Sequence, residues 1–169
     1  MLNVLESYNW YPVYTKSRFE KKTYDFLMKK GIEAFLPIHK QLKQWSDRKK
    51  WVEEPLFKSY LFVRISLKEY DQVIQTNGVV RFIYFSGKIA TISDAQITQL
   101  KNVLTENYEP EITFNKLEKG QKVKIIEGSL KGYEAEMVMW QQQNRLVLRI
   151  DALGQSLLLK IPAGYVQPV

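Results

Sequence analysis

The chain has 169 residues, 45% of them apolar and 25% charged, with a formal net charge of +7 and without a cysteine. This is the composition of a folded protein of one or two domains rather than a disordered chain, and the missing thiols exclude disulfides, thiolate metal sites and cysteine nucleophiles. No apolar run reaches bilayer length and the opening MLNVLESYNW lacks a basic leader before an apolar core, so a cytoplasmic protein with no membrane partner is expected.

The charge is concentrated. Residues 16 to 50 hold eleven Lys or Arg against four acids, a difference equal to the whole +7. Such a segment would attract a polyanion, nucleic acid first, the alternative being a solubilising surface. In chain order, WYPVYT (10 to 15) reads as a strand, with Pro12 implying an edge or irregular position. Ser17 and Glu20 form a capping box that opens a helix, and Gly31 closes it. Phe19, Thr23, Phe26 and Leu27 share its core side, while Arg18, Lys21, Lys22 and Lys29, with Asp25 among them, make a basic stripe.

IEAFLPI reads as a second strand, and HKQLKQWSDRKKW after it as a hairpin tip or flexible loop. EPLFKSYLFVRI (54 to 65) reads as a third strand. Alternation puts Phe57, Ser59, Leu61, Val63 and Ile65 on one face and Leu56, Lys58, Tyr60, Phe62 and Arg64 on the other. The second face sets two rings between two cations, which suits neither a solvated nor an ordinary core face. Ser66 with Glu69, and Ser93 with Gln96, are two further capping boxes, stapled by Ile65 and Tyr70 and by Ile92 and Ile97. They predict helices to about Thr76 and Thr105, with VVRFIYF and an SGK turn between them.

The fold class is therefore α+β, an α/β sandwich with one mainly antiparallel sheet flanked by helices. Residues 107 to 118 look like a linker, and from residue 119 five short strands punctuated by glycine predict a small β-barrel. The expected boundaries are thus 1–106, 107–118 and 119–169. A catalytic reading finds little to build on. His39 is the only histidine, and Glu53 and Glu54 are adjacent, so a strand would point them to opposite faces. No HExxH, GxSxG or Walker loop occurs. Neither an enzyme nor a cofactor or metal is expected.

Trp10-Tyr11, the basic helix after it, EPLFKSYLFVRI, NGVVRFIYF and KGQKVKIIEGSLKGYEAEMVMW, in this order and spacing, resemble the NusG family of transcription elongation factors. The resemblance covers nearly the whole chain: an N-terminal domain, a linker and a C-terminal KOW barrel with an SH3-like fold. Two positions depart from the general pattern. Lys58-Ser59 stands where Pro-Gly is usual, and Ala135 where a glycine follows the KOW Lys-Gly pair. With the EPLF lead-in they look more like the specialised RfaH-like and UpxY-like antiterminators, which act on selected long operons such as surface polysaccharide clusters. A housekeeping NusG and a KOW-containing RNA- or ribosome-binding module are the alternatives.

The resemblance implies a monomer that binds the clamp helices of the largest subunit of bacterial RNA polymerase through Tyr14, Phe57, Tyr60 and Phe62. Rigid rings on a sheet suit such a role, the alternative being burial under the protein's own elements. It further implies contacts of Lys16, Arg18, Lys21 and Lys22 with upstream or non-template DNA, and a KOW surface at Ile126, Leu130, Tyr133 and Met137 for ribosomal protein S10 or Rho. Stacking of Trp45 and Trp51 on single-stranded bases is a further reading of the 43 to 50 loop, the alternative being a mobile hairpin tip. Some RfaH-like proteins refold the KOW domain into helices. The β-branched KVKII and LVLRI favour strands here.

Overall fold

A computed structural model describes residues 5–169. The chain divides into two compact units, the first running to Asp94 and the second spanning Ala95–Val169. In the first unit, strands β1 (Asn9–Thr15), β2 (Glu33–Phe35), β5 (Tyr60–Ile65) and β6 (Val79–Phe82) form an antiparallel sheet in the order β2-β5-β1-β6. Pro12 is not at an edge, because β1 is an inner strand. Its ladder with β6 begins only at Val13, so the imide nitrogen costs no hydrogen bond on that side.

Helix α1 (Glu20–Lys29) starts later than the capping box predicts. Arg18 takes a left-handed φ of 60°, Phe19 is the N-cap, and Ser17 lies outside the helix. The end is as expected: Gly31 N–H donates to Met28 O and Ile32 N–H to Leu27 O, a Schellman motif with Gly31 at φ 76°. Leu27 and Ile32 then join Tyr11, Val13, Leu61, Val63, Ile65 and Phe82 in the core beneath the sheet, which Val73 of helix α2 (Tyr70–Ile74) completes. The Ser66–Glu69 box forms as predicted, with Ser66 N–H donating to Glu69 Oε2 at 3.0 Å.

Two readings of the middle of this unit are corrected. The stretch read as a tip or loop is a regular hairpin, β3 (Ile38–Gln44) paired with β4 (Lys49–Pro55). The third strand is also broken: β4 ends at Pro55 and β5 begins at Tyr60, with a turn between. Ser59 sits there at φ 65°, the left-handed region that favours glycine. A second small hairpin joins β7 (Tyr84–Phe85) to β8 (Lys88–Ile89).

In the second unit, helix α3 (Asp94–Val103) is followed by a six-stranded antiparallel sheet, β14-β10-β11-β12-β13-β9. Its strands β10 (Gln121–Ile125), β11 (Glu134–Trp140), β12 (Gln143–Ile150), β13 (Gln155–Leu159) and β14 (Val166–Pro168) are the five expected. The sixth, β9 (Glu111–Thr113), lies inside the expected linker and pairs with β13. Its short length and neighbouring Pro110 hide it from periodicity. Ala135 lies within β11 opposite Val123, a position that makes no demand for glycine. In helix α3, expected with the N-terminal domain, Gln96 Nε2 donates to Arg149 O at 3.1 Å.

Candidate binding site

The β4–β5 turn determines which rings reach the surface. With alternation interrupted at residues 56 to 59, Phe57 swings to the side of Phe62, and the two rings meet edge to face at 6.2 Å. Phe35 stacks on Phe62 from β2 at 6.2 Å. Phe57 is 1% and Phe62 0% exposed, so the expectation that both are surface anchors is corrected: they are core. Tyr14 and Tyr60 lie directly opposite each other across β1 and β5, half-buried, with ring centroids 5.4 Å apart in an edge-to-face pair. Arg81, which sequence reasoning passes over, sits opposite Tyr14 on β6 with its guanidinium 5.4 Å from the ring. Its cross-strand register carries the only signal, and that requires knowing that β1 pairs with β6.

The turn is held by the start of α1. Glu20 is buried, and its Oε1 accepts the Ser59 N–H at 2.8 Å; on the other side Thr15 N–H donates to Ser59 O at 2.9 Å. Glu20 therefore caps a turn far away in sequence instead of its own helix.

Arg18, Lys21 and Lys22 come together with Lys43 and Lys58 around an open cleft of about 710 Å³ between the start of α1 and the base of the β3–β4 hairpin. Lys16 is exposed but outside this lining. The acids of the cleft are engaged. Glu54 accepts a close hydrogen bond from Lys43, which holds its carboxyl below the usual range, and Glu53 pairs with Lys40 at 3.6 Å. Lys21 Nζ donates to Glu53 O at 3.0 Å, and Lys22 Nζ lies 5.2 Å from the Phe19 ring centre. Cations thus dominate the surface available to a ligand. His39, opposite Glu54, is held below its ordinary pKa by burial, against the opposing pull of Glu54 and with the help of Lys43.

Of the KOW candidates, Leu130 is 3% exposed and is core, a correction with a simple cause: a unit this small needs its leucines inside. Ile126 and Tyr133, both half-buried, flank the loop between β10 and β11. Met137 lies opposite Gln121 at the other end of that pairing, so the structure does not bring it together with them.

A family model described as "Transcription termination factor nusG" matches residues 8–101. Among solved structures, NusG of Thermotoga maritima, from work on its domain interaction, aligns with a TM-score of 0.58 at 19% identity, covering 96% of this chain and 98% of that one. The MjSpt4:Spt5 complex in its conformation A aligns over 95% of this chain and 97% of that one at 18% identity, with a TM-score of 0.28.

Proposed function

We infer the function from one premise: the chain belongs to the NusG family of transcription termination and elongation factors. It acts by binding rather than by catalysis. Its N-terminal sheet docks on the clamp helices of the largest subunit of bacterial RNA polymerase, and by favouring one clamp state it suppresses pausing and termination. The observation that carries this reading is the half-exposed Tyr14–Tyr60 pair flanked by Arg81, since tyrosine and arginine are the residue types that anchor interfaces. Phe57 and Phe62 support that surface from behind. Lys16, Arg18, Lys21 and Lys22 hold upstream or non-template DNA through phosphates, independently of sequence and sensitive to salt. Ile126 and Tyr133 face ribosomal protein S10, Rho or another partner. Lys58-Ser59 and Ala135 support a specialised paralog that acts on selected long operons.

Retention of the full chain on purified polymerase tests this. Tyr14→Ala and Tyr60→Ala are each expected to weaken retention about ten-fold while leaving the urea unfolding midpoint of the chain close to wild type. Wild type that is not retained, or retention that neither substitution changes, refutes the docking surface. A pause assay with the same variants then reads the clamp effect.

A further inference from the structure

The β3–β4 hairpin carries an apolar rung that the described residues leave about half open or more. Leu42 and Trp51 are directly opposite each other and lie 49% and 65% exposed, and Trp45 at the tip is 53% exposed. The next rung toward the tip sets Lys43 directly across from Lys50. Like charges at directly opposed positions destabilise a hairpin; Glu54 engages Lys43, so the hairpin sets the unpaired charge of Lys50 beside an unfavourable exposed indole. Among the described residues, Lys49 and Lys50 have no carboxylate within ion-pair distance. A polyanion with flat apolar rings answers both costs, since its phosphates neutralise the lysines and its bases cover the indole.

We propose that this hairpin is a single-stranded nucleic-acid arm in which Trp51, backed by Leu42, stacks on an unpaired base while Lys49 on the same ribbon face and Lys50 on the reverse face hold neighbouring phosphates. Trp45 offers a second ring at the tip. Trp51 is two residues from Glu53, which lines the basic cleft, or about 7 Å along the strand. A strand leaving the stacked base therefore enters the cleft of Arg18, Lys21 and Lys22. The inference extends the nucleic-acid part of the proposed function to a second element and is independent of polymerase docking.

Fluorescence anisotropy of a labelled oligothymidine of about 12 nucleotides, with oligouridine and duplex DNA of equal length as further arms, tests it on the full chain. Trp51→Ala is expected to weaken oligothymidine binding about ten-fold at every salt concentration, with Trp51→Phe restoring most of it. Lys49→Ala with Lys50→Ala should instead flatten the slope of log affinity on log salt by about 1.4. Duplex binding should be insensitive to Trp51. Equal loss on oligothymidine and oligouridine assigns the arm to both strand types, and loss on one alone assigns it to that one; either outcome supports the proposal. Wild-type chain that fails to bind the oligonucleotides at low salt, or binding that Trp51→Ala leaves unchanged, overturns it. If Lys21→Ala with Lys22→Ala still weakens binding in the latter case, the helix reading stands while the hairpin reading falls. Loss of polymerase retention in Trp51→Ala without any effect on oligonucleotides assigns the hairpin to a protein partner and equally overturns it. Tyr60→Ala should leave oligonucleotide affinity unchanged.

Discussion

Strand β5 and the β3–β4 hairpin both set aromatic rings among cations, yet Phe62 is 0% exposed and Trp51 is 65% exposed. Composition does not separate them. The difference lies in whether a second layer exists: Phe62 has Phe35 stacked on it and Phe57 set edge-on against it, both delivered by neighbouring backbone. Trp51 has Leu42 across from it on the ribbon and no ring stacked on it among the described residues. A ring in a strand is a core residue when a turn or a neighbouring strand brings cover, and a candidate contact when the ribbon stands alone.

The sharpest way to break this contrast is to truncate the covered ring. Phe62→Ala is expected to lower the stability of the full chain by about 4 kcal/mol, read as a fall in the urea midpoint, because the flanking phenyl rings cannot collapse into the space left. A loss below about 1 kcal/mol, the level of an exposed position, would mean that the cover is not real.

Next is the group that builds the cover. Glu20→Ala removes the acceptor of the Ser59 N–H in a buried setting, and the expected cost is about 2 kcal/mol. If the turn loosens, Phe57 loses its place too, and the Tyr14–Tyr60 pair should become mobile; hydrogen exchange at Tyr60 reads that directly.

The second unit offers the same contrast among ion pairs. Glu136 is joined to Arg149 at 2.7 Å with both side chains partly buried, whereas Lys40 and Glu53 on the hairpin are mostly exposed. The hydrogen bond from Arg149 is the main cause that holds the Glu136 carboxyl below its ordinary value, assisted by the Gly120 N–H and by nearby charge and opposed by burial. A folded pKa below the unfolded one stabilises the fold above the unfolded value of 4.5, and that stability is lost as the pH falls through the folded pKa. Glu136→Gln should therefore cost about 1 kcal/mol at neutral pH, after discounting for partial exposure, and flatten the acid limb of the unfolding profile. Glu53→Gln should do neither.

Much of this was legible in the residues. Alternation places Leu61, Val63 and Ile65 in the core, Gly31 ends α1, and the Ser66–Glu69 box forms. The failures share a cause, which is that the deciding partner is remote in sequence. The break before β5 carries no glycine to announce it, because Ser59 is held at φ 65° by Glu20, 39 residues earlier. For the same reason the Ser17–Glu20 box misleads: it matches the local pattern, but the carboxylate is used elsewhere. The Tyr14–Tyr60 pair was legible as residue types, while its separation from Phe57 and Phe62 was not. Ser59→Gly tests that account. Relief of the left-handed strain should raise stability by about 1 kcal/mol, or about 4 °C in Tm, and the gain should persist when Glu20 is replaced.

The smallest expected effect is the most discriminating. Trp51→Ala removes more surface than any other substitution considered, and if the indole were part of a core the cost would rival that of Phe62→Ala. Because its ring lies 65% exposed on a free-standing ribbon, what is lost is the contact with Leu42 and some strand propensity, together within about 0.5 kcal/mol. A near-neutral urea midpoint combined with weakened binding to a single strand would show that the ring is kept for a partner. A stability loss of more than about 2 kcal/mol, beyond what an exposed site can lose, would show instead that the ribbon is packed in solution against some other surface, and the distinction between covered and uncovered rings would fail at the hairpin.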